Sequence, residues 1–289
     1  MRSCLPRIER ARPLLGTRVS IRVEGLGEQD AHRAIDEAFD EIATIHRLMS
    51  FHEADSEVSR LNREACEQGV VVDSRTYEVL TCAQAMSHAS DACFDVTIGG
   101  ELVGCETLPR PDSKHAPDAR ATWRDIVLGK DGCVRFRTPL WIDLGGIAKG
   151  YAVDRAVEKL KACGAVQLCV NAGGDLRIQG PAAERVLLQA GQILGGNVPM
   201  LEIADAAIAS SGGNLDAGRA HGPHFDGRNR SGIAAGRFVS VVAESCMVAD
   251  ALTKIALALG EDSAPILESF GASAHLHDPR LGWLHIGAP

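Results

Sequence analysis

The densest chemistry in the chain lies in residues 142–154, IDLGGIAKGYAVD. A strand-like apolar stretch ends at Asp143, two glycines follow, and helical spacing begins. A helix start presents unpaired N–H groups and the positive end of the helix dipole, so anions bind there. Gly145 and Gly146 let the backbone approach a ligand closely. Lys149, on the first helical turn, would reach a phosphate, and Asp143 would accept from a ribose, a ring N–H or a metal-bound water. The same letters also describe a tight strand–helix turn with a solvated lysine. They match neither a Walker A loop nor a GxGxxG fingerprint.

Four further segments carry chemistry, each with a bland counterpart. In residues 170–180, VNAGGDLRIQG, Gly173 and Gly174 end a strand; they offer either close ligand approach or a hairpin turn. In residues 244–260, ESCMVADALTKIALALG, Asp250 is a lone acid among apolar helix positions. A carboxylate there is costly unless paired or metal-bound. Thr253 shares its helix face, so acid plus hydroxyl would suit a hard cation such as Mg2+; an exposed Asp is the alternative. Residues 48–64, LMSFHEADSEVSRLNRE, place Ser50 and His52 in a turn where a ring could stack on a base, although a surface histidine reads the same way. Residues 92–103, ACFDVTIGGELV, set Asp95 in an apolar run, where a turn or cap role is the common one.

The elements that must position these residues can be read from spacing. Alternation of Val19, Ile21 and Val23 predicts a half-buried strand, and Ile35, Phe39, Ile42, Ile45 and Met49 predict an amphipathic helix over 28–49. Asp73 or Ser74 caps a helix to about Ala89, and Ser56 caps a short turn. Strands are expected at 125–128 and 133–136 around a Gly-Lys-Asp-Gly turn, and at 141–143, 166–170, 186–189, 201–204 and 238–242. Helices are expected at 147–163, closed by Gly164, and at 246–259, closed by Gly260. Residues 104–120 read as a surface excursion and 212–236 as a polar, glycine-rich functional loop. Strands and helices mix without strict βαβ alternation, so the expected class is α+β, as two intimately packed lobes in one domain over 1–289 without a separable linker.

Composition narrows the partners. The chain carries 30 Lys and Arg against 38 Asp and Glu, a formal net charge of −8, which argues against nucleic acid or an anionic membrane surface. Nine scattered cysteines, without a CxxC pair, fit neither a zinc site nor a disulfide framework. Near Cys4 the apolar run of a signal peptide or a lipidation site is missing, so the expectation is a cytoplasmic protein.

Taken in order, the blocks LLGTRVSIRV, SFHEADSEVSRLN, FDVTIGGELV, IDLGGIAKGYAVD, VNAGGDLRIQG, AIASSGG and SVVAESCMVADALTK resemble the ApbE family, the FAD:protein FMN transferases. They span about residues 14–260. The resemblance implies a T-fold-like architecture and a Mg2+-dependent enzyme. Such an enzyme cleaves FAD, attaches FMN to a Thr or Ser of a target flavoprotein, and releases AMP. Carried over by position, it sets Leu15, Ser50 and His52 near the adenosine, and Cys93, Phe94 and Asp95 in the FAD block. Asp143 and Lys149 fall at the flavin or phosphates, with Gly173 and Gly174 nearby. A Gly146 carbonyl, Asp250 and Thr253 fall at the metal. Lys149 and Asp250 would serve the chemistry, and His224 is the expected base.

This chain departs from the pattern in several places. Four residues after Asp250, where the family carries a threonine, stands Lys254, which either takes the cation's place or points to solvent. The family's His-Ile-Ile-Asp-Pro-Arg loop reads HFDGRNRSG here, with Asp226 and Arg228 fitting best. His52 replaces a usual aromatic, and Gly100 a proline. Two alternatives stay open beside transfer: hydrolysis of FAD to FMN and AMP, and FAD binding without catalysis.

Overall fold

A computed structural model of the chain describes residues 7–188, 198–212, 221–234 and 236–287. Cys4, Gln189 and much of the expected loop at 212–236, namely 213–220 and 235, lie outside the described residues.

The chain opens with strands β1 (Ile8–Leu14) and β2 (Thr17–Glu24), then helices α1 (Glu28–Met49) and α2 (Glu57–Glu64). Strand β3 (Val70–Val71), helices α3 (Ser74–Ala89) and α4 (Gly99–Gly104), and strands β4 (Ile126–Leu128) and β5 (Cys133–Phe136) follow. Helix α5 (Ala148–Ala162) precedes β6 (Gln167–Ala172), β7 (Asp175–Gln179), β8 (Glu184–Leu187), β9 (Met200–Ile203) and β10 (Ala207–Gly212). The last part holds β11 (His221–Asp226), β12 (Ser231–Ala234), β13 (Phe238–Ala243), α6 (Cys246–Leu259), α7 (Ala264–Ser269), β14 (Ser273–Asp278) and β15 (Gly282–Ile286).

The frame is an eight-stranded sheet in the order β1-β2-β6-β7-β10-β13-β14-β15, with every neighbouring pair antiparallel. Alternation sends Val19, Ile21 and Val23 to one face, where they are fully buried. Helices α1, α5 and α6 cover that face, and α5 packs on both α1 and α6. The apolar stripe of α1 explains its docking: Ala31, Ile35, Ala38, Phe39, Ile42 and Ile45 recur at helical spacing and are almost wholly buried. Fully burying each large side chain of that stripe contributes on the order of 2 kcal/mol. The opposite face of the sheet carries a smaller cluster of Leu176, Ile178 and Ile208 beneath Ile203 of β9.

A three-stranded sheet, β3-β5-β4, forms a second part with α2 and α3, and its buried residues Val70, Ile126, Val134 and Phe136 join the main core. The α+β expectation therefore holds, with a core shared by both parts. Among the described residues, no helix is long and apolar enough to cross a membrane. The described cysteines are free thiols.

The expected caps at Asp73 and Ser56 form, and Ser245, not singled out from the sequence, caps α6. The Asp73 carboxylate accepts from Arg75 N at 2.9 Å, Ser56 Oγ from Ser59 N at 3.0 Å, and Ser245 Oγ from Val248 N at 3.2 Å. Gly164 and Gly260 close α5 and α6 with positive φ. One expected strand is absent. Residues 141–143 join no sheet, because their backbone groups bond elsewhere. Ile142 N donates to Asn62 Oδ1 at 2.7 Å, Asn62 Nδ2 donates to the Ile142 carbonyl at 3.0 Å, and Asp143 N donates to the Val96 carbonyl at 2.8 Å.

Candidate functional site

The turn Leu144–Gly146 delivers Asp143 on one side and Lys149 on the other into a cleft made of two adjoining cavities. The first, about 370 Å3, is lined by Cys93, Phe94, Asp95, Gly146, His224 and Lys254, among others. The second, about 350 Å3, is lined by Leu15, Ser50, Phe51 and His52. Asp143, Gly145, Lys149 and Leu108 border both. Segments far apart in sequence thus meet at the turn that leads into α5.

Lys149 is not a solvated surface lysine. Its ammonium pairs with Asp175, the first residue of β7, whose side chain is fully buried. Asp175 Oδ1 also accepts from Ser210 N at 3.1 Å, tying β7 to β10 beneath the cleft. Burial works against charge on Lys149, but the Asp250 and Asp175 carboxylates overcome it and raise its pKa. Asp175 is raised as well, by burial and by the nearby charge of Asp250.

Asp250 lies under the first cavity with no exposure. One carboxylate oxygen pairs with Lys254 one turn along α6; the other accepts from Gly150 N of α5 at 3.1 Å. Lys254 Nζ also donates to the Asp250 carbonyl at 3.0 Å. Burial pushes the Asp250 carboxyl up, but the Lys254 and Lys149 charges, with the Gly150 amide, hold it below the usual carboxylate range.

The residues expected to hold Mg2+ do not fit a divalent ion as they are arranged. The Lys254 ammonium covers Asp250, and a Cβ built on Gly146 would stand 3.2 Å from Lys254 Cε. Thr253 is turned away: its hydroxyl donates to the Asp250 carbonyl at 2.6 Å and lies 2.7 Å from Ser211 Oγ. Among the described residues, no group of three or more His, Cys, Asp or Glu side chains is gathered to hold a metal. Hard cations need several free oxygen ligands, and here a lysine occupies the carboxylate expected to bind one, Asp250.

Gly173 and Gly174 line neither cavity. Both have positive φ and form the two-residue turn of the β6–β7 hairpin, with Gly174 N donating to Asn171 Oδ1 at 2.9 Å. Their contribution is to start β7 so that Asp175 meets Lys149. Asp95 lines the first cavity, yet its carboxylate is engaged locally: Oδ1 accepts from Thr97 N and Thr97 Oγ1, both at 2.8 Å, and Oδ2 from Trp123 N at 3.2 Å. Burial raises the pKa of Asp95, against those donors. Cys93, buried beside it, has its thiol pushed up to about 12, so it is no ready nucleophile.

Burial likewise raises Asp143, against the Gly145 amide and the charges of His52 and Lys254. His224 lowers to about 4, through burial first and then the Lys254 ammonium, so its imidazole is neutral at pH 7 and a weaker base than a free histidine. In the turn after it, Arg228 and Asp226 form an ion pair at 2.6 Å, and Gly227 N donates to the Cys93 carbonyl at 3.0 Å, joining this turn to the Cys93 block.

Spacing alone missed three contributors. Asp175 follows the Gly-Gly of a hairpin, where an acid reads as a turn residue. Asp154 closes the 142–154 segment and acts through α6. Leu108, in what reads as a surface excursion, packs against the main core and borders both cavities.

Comparison with known proteins gives the family and the fold. The model of the ApbE family matches residues 15–275. The chain belongs to the ApbE family. Among curated relatives, the FAD:protein FMN transferase of Vibrio cholerae is 24% identical over 271 residues, covering 86% of this chain and 80% of its own. That of Chlamydia trachomatis is 27% identical over 251 residues, covering 78% and 74%. The crystal structure of the ApbE protein from Thermotoga maritima superposes with a TM-score of 0.78 at 26% identity, over 94% of each chain. The flavin transferase ApbE from Vibrio cholerae gives a TM-score of 0.81 at 21% identity, covering 97% of this chain and 96% of that one.

Proposed function

We propose that this protein is an FAD:protein FMN transferase, which binds FAD across the two adjoining cavities and passes FMN to a Thr or Ser hydroxyl of a target flavoprotein. The observation that carries this reading is the meeting of the two cavities at Asp143, Gly145 and Lys149. A dinucleotide needs two compartments with a cation at their junction, and Lys149 stands there. Leu15, Ser50 and His52 would hold the adenosine half. Cys93 and Phe94 would wall the other half, with Asp95 bracing that wall.

In the reaction, the acceptor hydroxyl oxygen forms a bond to the phosphorus of the FMN half. The bond from that phosphorus to the bridging oxygen breaks, and AMP leaves with the electron pair. The hydroxyl proton passes to a base, and His224, neutral at pH 7 and lining the first cavity, is the residue its position puts forward, although burial makes it a weaker base than a free imidazole. Lys149 offsets charge on the diphosphate, so positioning and electrostatics supply the rate. The Mg2+ of the family pattern enters no step here, because Lys254 holds Asp250.

The test is incubation of purified protein with FAD and a flavoprotein acceptor, followed by a denaturing gel viewed for flavin fluorescence. A covalent band, with AMP released in equal amount, is expected. AMP released equally without acceptor would favour hydrolysis instead. The Lys254–Asp250 pair favours one other reading, FAD binding without transfer, and tight binding with no AMP from any acceptor would decide for it.

A further inference from the structure

Two lysines border the first cavity, and each rests on a buried carboxylate: Lys149 on Asp175, Lys254 on Asp250. The second pair has three properties of a built-in feature. Asp250 is fully buried, so its charge requires a permanent partner. Lys254 makes two bonds to the same residue, side chain and carbonyl, and these fix its ammonium at the cavity wall. Its stem lies over Gly146, where a Cβ would come within 3.2 Å of Cε, so the glycine leaves the stem its room.

From this we infer that Lys254 is the resident cation of the diphosphate site, and that the protein binds FAD without a divalent metal. The inference rests on the flavin reading above. A diphosphate entering the cleft would meet two fixed ammoniums, Lys149 at the junction of the cavities and Lys254 on the wall of the first. A lysine ammonium is a compact point charge with three donors, which suits a phosphate oxygen. With Asp250 it sums to zero charge, whereas a divalent ion on Asp250 would sum to one positive charge. The arrangement therefore gives up some attraction for the diphosphate in exchange for a cation that cannot dissociate.

The experiment is an FAD titration of the full-length protein, followed by flavin fluorescence, after exhaustive chelation and again with Mg2+ restored. The expected dissociation constant changes less than about twofold between the two conditions. Lys254→Thr exposes Asp250; its FAD affinity without metal is expected to fall about 10- to 100-fold, the range of a charged hydrogen bond. Added Mg2+ should restore most of that loss. Lys254→Met, which offers no oxygen, should lose affinity without regaining it on Mg2+ addition. Thermal melting of each variant separates loss of fold from loss of binding, and the wild-type chelation arm does not depend on either variant. Wild-type binding that needs Mg2+ would overturn the inference and leave the flavin reading standing. Wild-type protein that binds no FAD in either condition would remove the flavin reading, and this inference with it.

Discussion

The Asp154 carboxylate, in α5, caps the start of α6: Oδ1 accepts from Cys246 N at 2.9 Å and Oδ2 from Met247 N at 2.9 Å. Arg177 of β7 holds the same carboxylate at 2.8 Å. One buried acid thus joins α5, α6 and the sheet, and α6 is the helix that carries Asp250 and Lys254. Replacing Asp154 with Ala strips two charge-assisted caps and leaves Arg177 unpaired. Chemical denaturation should show a loss of about 2–4 kcal/mol, with Asp154→Asn losing less. An unchanged midpoint in Asp154→Ala would mean that α6 is held by its apolar face alone.

Gly150 makes the crossing of α5 and α6 possible. A Cβ there would stand 2.2 Å from the Cys246 carbonyl oxygen and 2.9 Å from Asp250 Cβ. Backbone cannot yield as a flexible side chain does. Gly150→Ala should therefore destabilise by about 1–3 kcal/mol, despite the helix-favouring substitution. Gly104→Ala, at the end of α4 with nothing within 4 Å of its Cβ, is the control and should be neutral or mildly stabilising. Melting temperatures of the pair would decide it; equal values would refute the close crossing.

Leu15 sits at the tip of the β1–β2 hairpin with φ of 54°, beside Gly16 at 68°. A leucine in the left-handed region costs on the order of 1 kcal/mol, and this one borders the cavity assigned to the adenosine. Leu15→Asn, a residue that tolerates that backbone, should keep or raise stability while weakening FAD binding about tenfold through lost apolar contact. Equal FAD affinity in variant and wild type would remove Leu15 from the binding surface.

His224 gives a pH prediction. Its value is lowered from 6.5 to about 4 by burial and by Lys254. A histidine held neutral in the native state favours folding fully above its unfolded value near 6.5, and that preference is lost as pH falls toward 4. Between pH 7 and 4.5 the wild type should lose about 2 kcal/mol more unfolding free energy than His224→Gln, since each pKa unit corresponds to about 1.4 kcal/mol. Urea melts at the two pH values test this; parallel losses would show that the imidazole is not shielded.

Much of this protein follows from local pattern. The α1 stripe, the Asp73, Ser56 and Ser245 caps, and the closures at Gly164 and Gly260 are short-range matters of helix period and backbone freedom, and the residues alone determine them. The ordered blocks also carry the family, because each keeps its residue types at its own spacing. Tertiary structure decided the rest. Residues 141–143 alternate like a strand, yet Asn62, 80 residues before Ile142, takes the hydrogen bonds a sheet would have made. Gly173 and Gly174 look like ligand glycines, but Ala172 and Asp175 pair across them, so they turn a hairpin. Lys254 reads as metal substitute or solvated lysine until α5 and α6 cross. The crossing buries Asp250 against Gly150 and leaves Lys254 as the cation within reach of its second oxygen. Charge partners of buried acids are long-range facts: desolvation requires that a partner exist, and only the packing of distant segments names it.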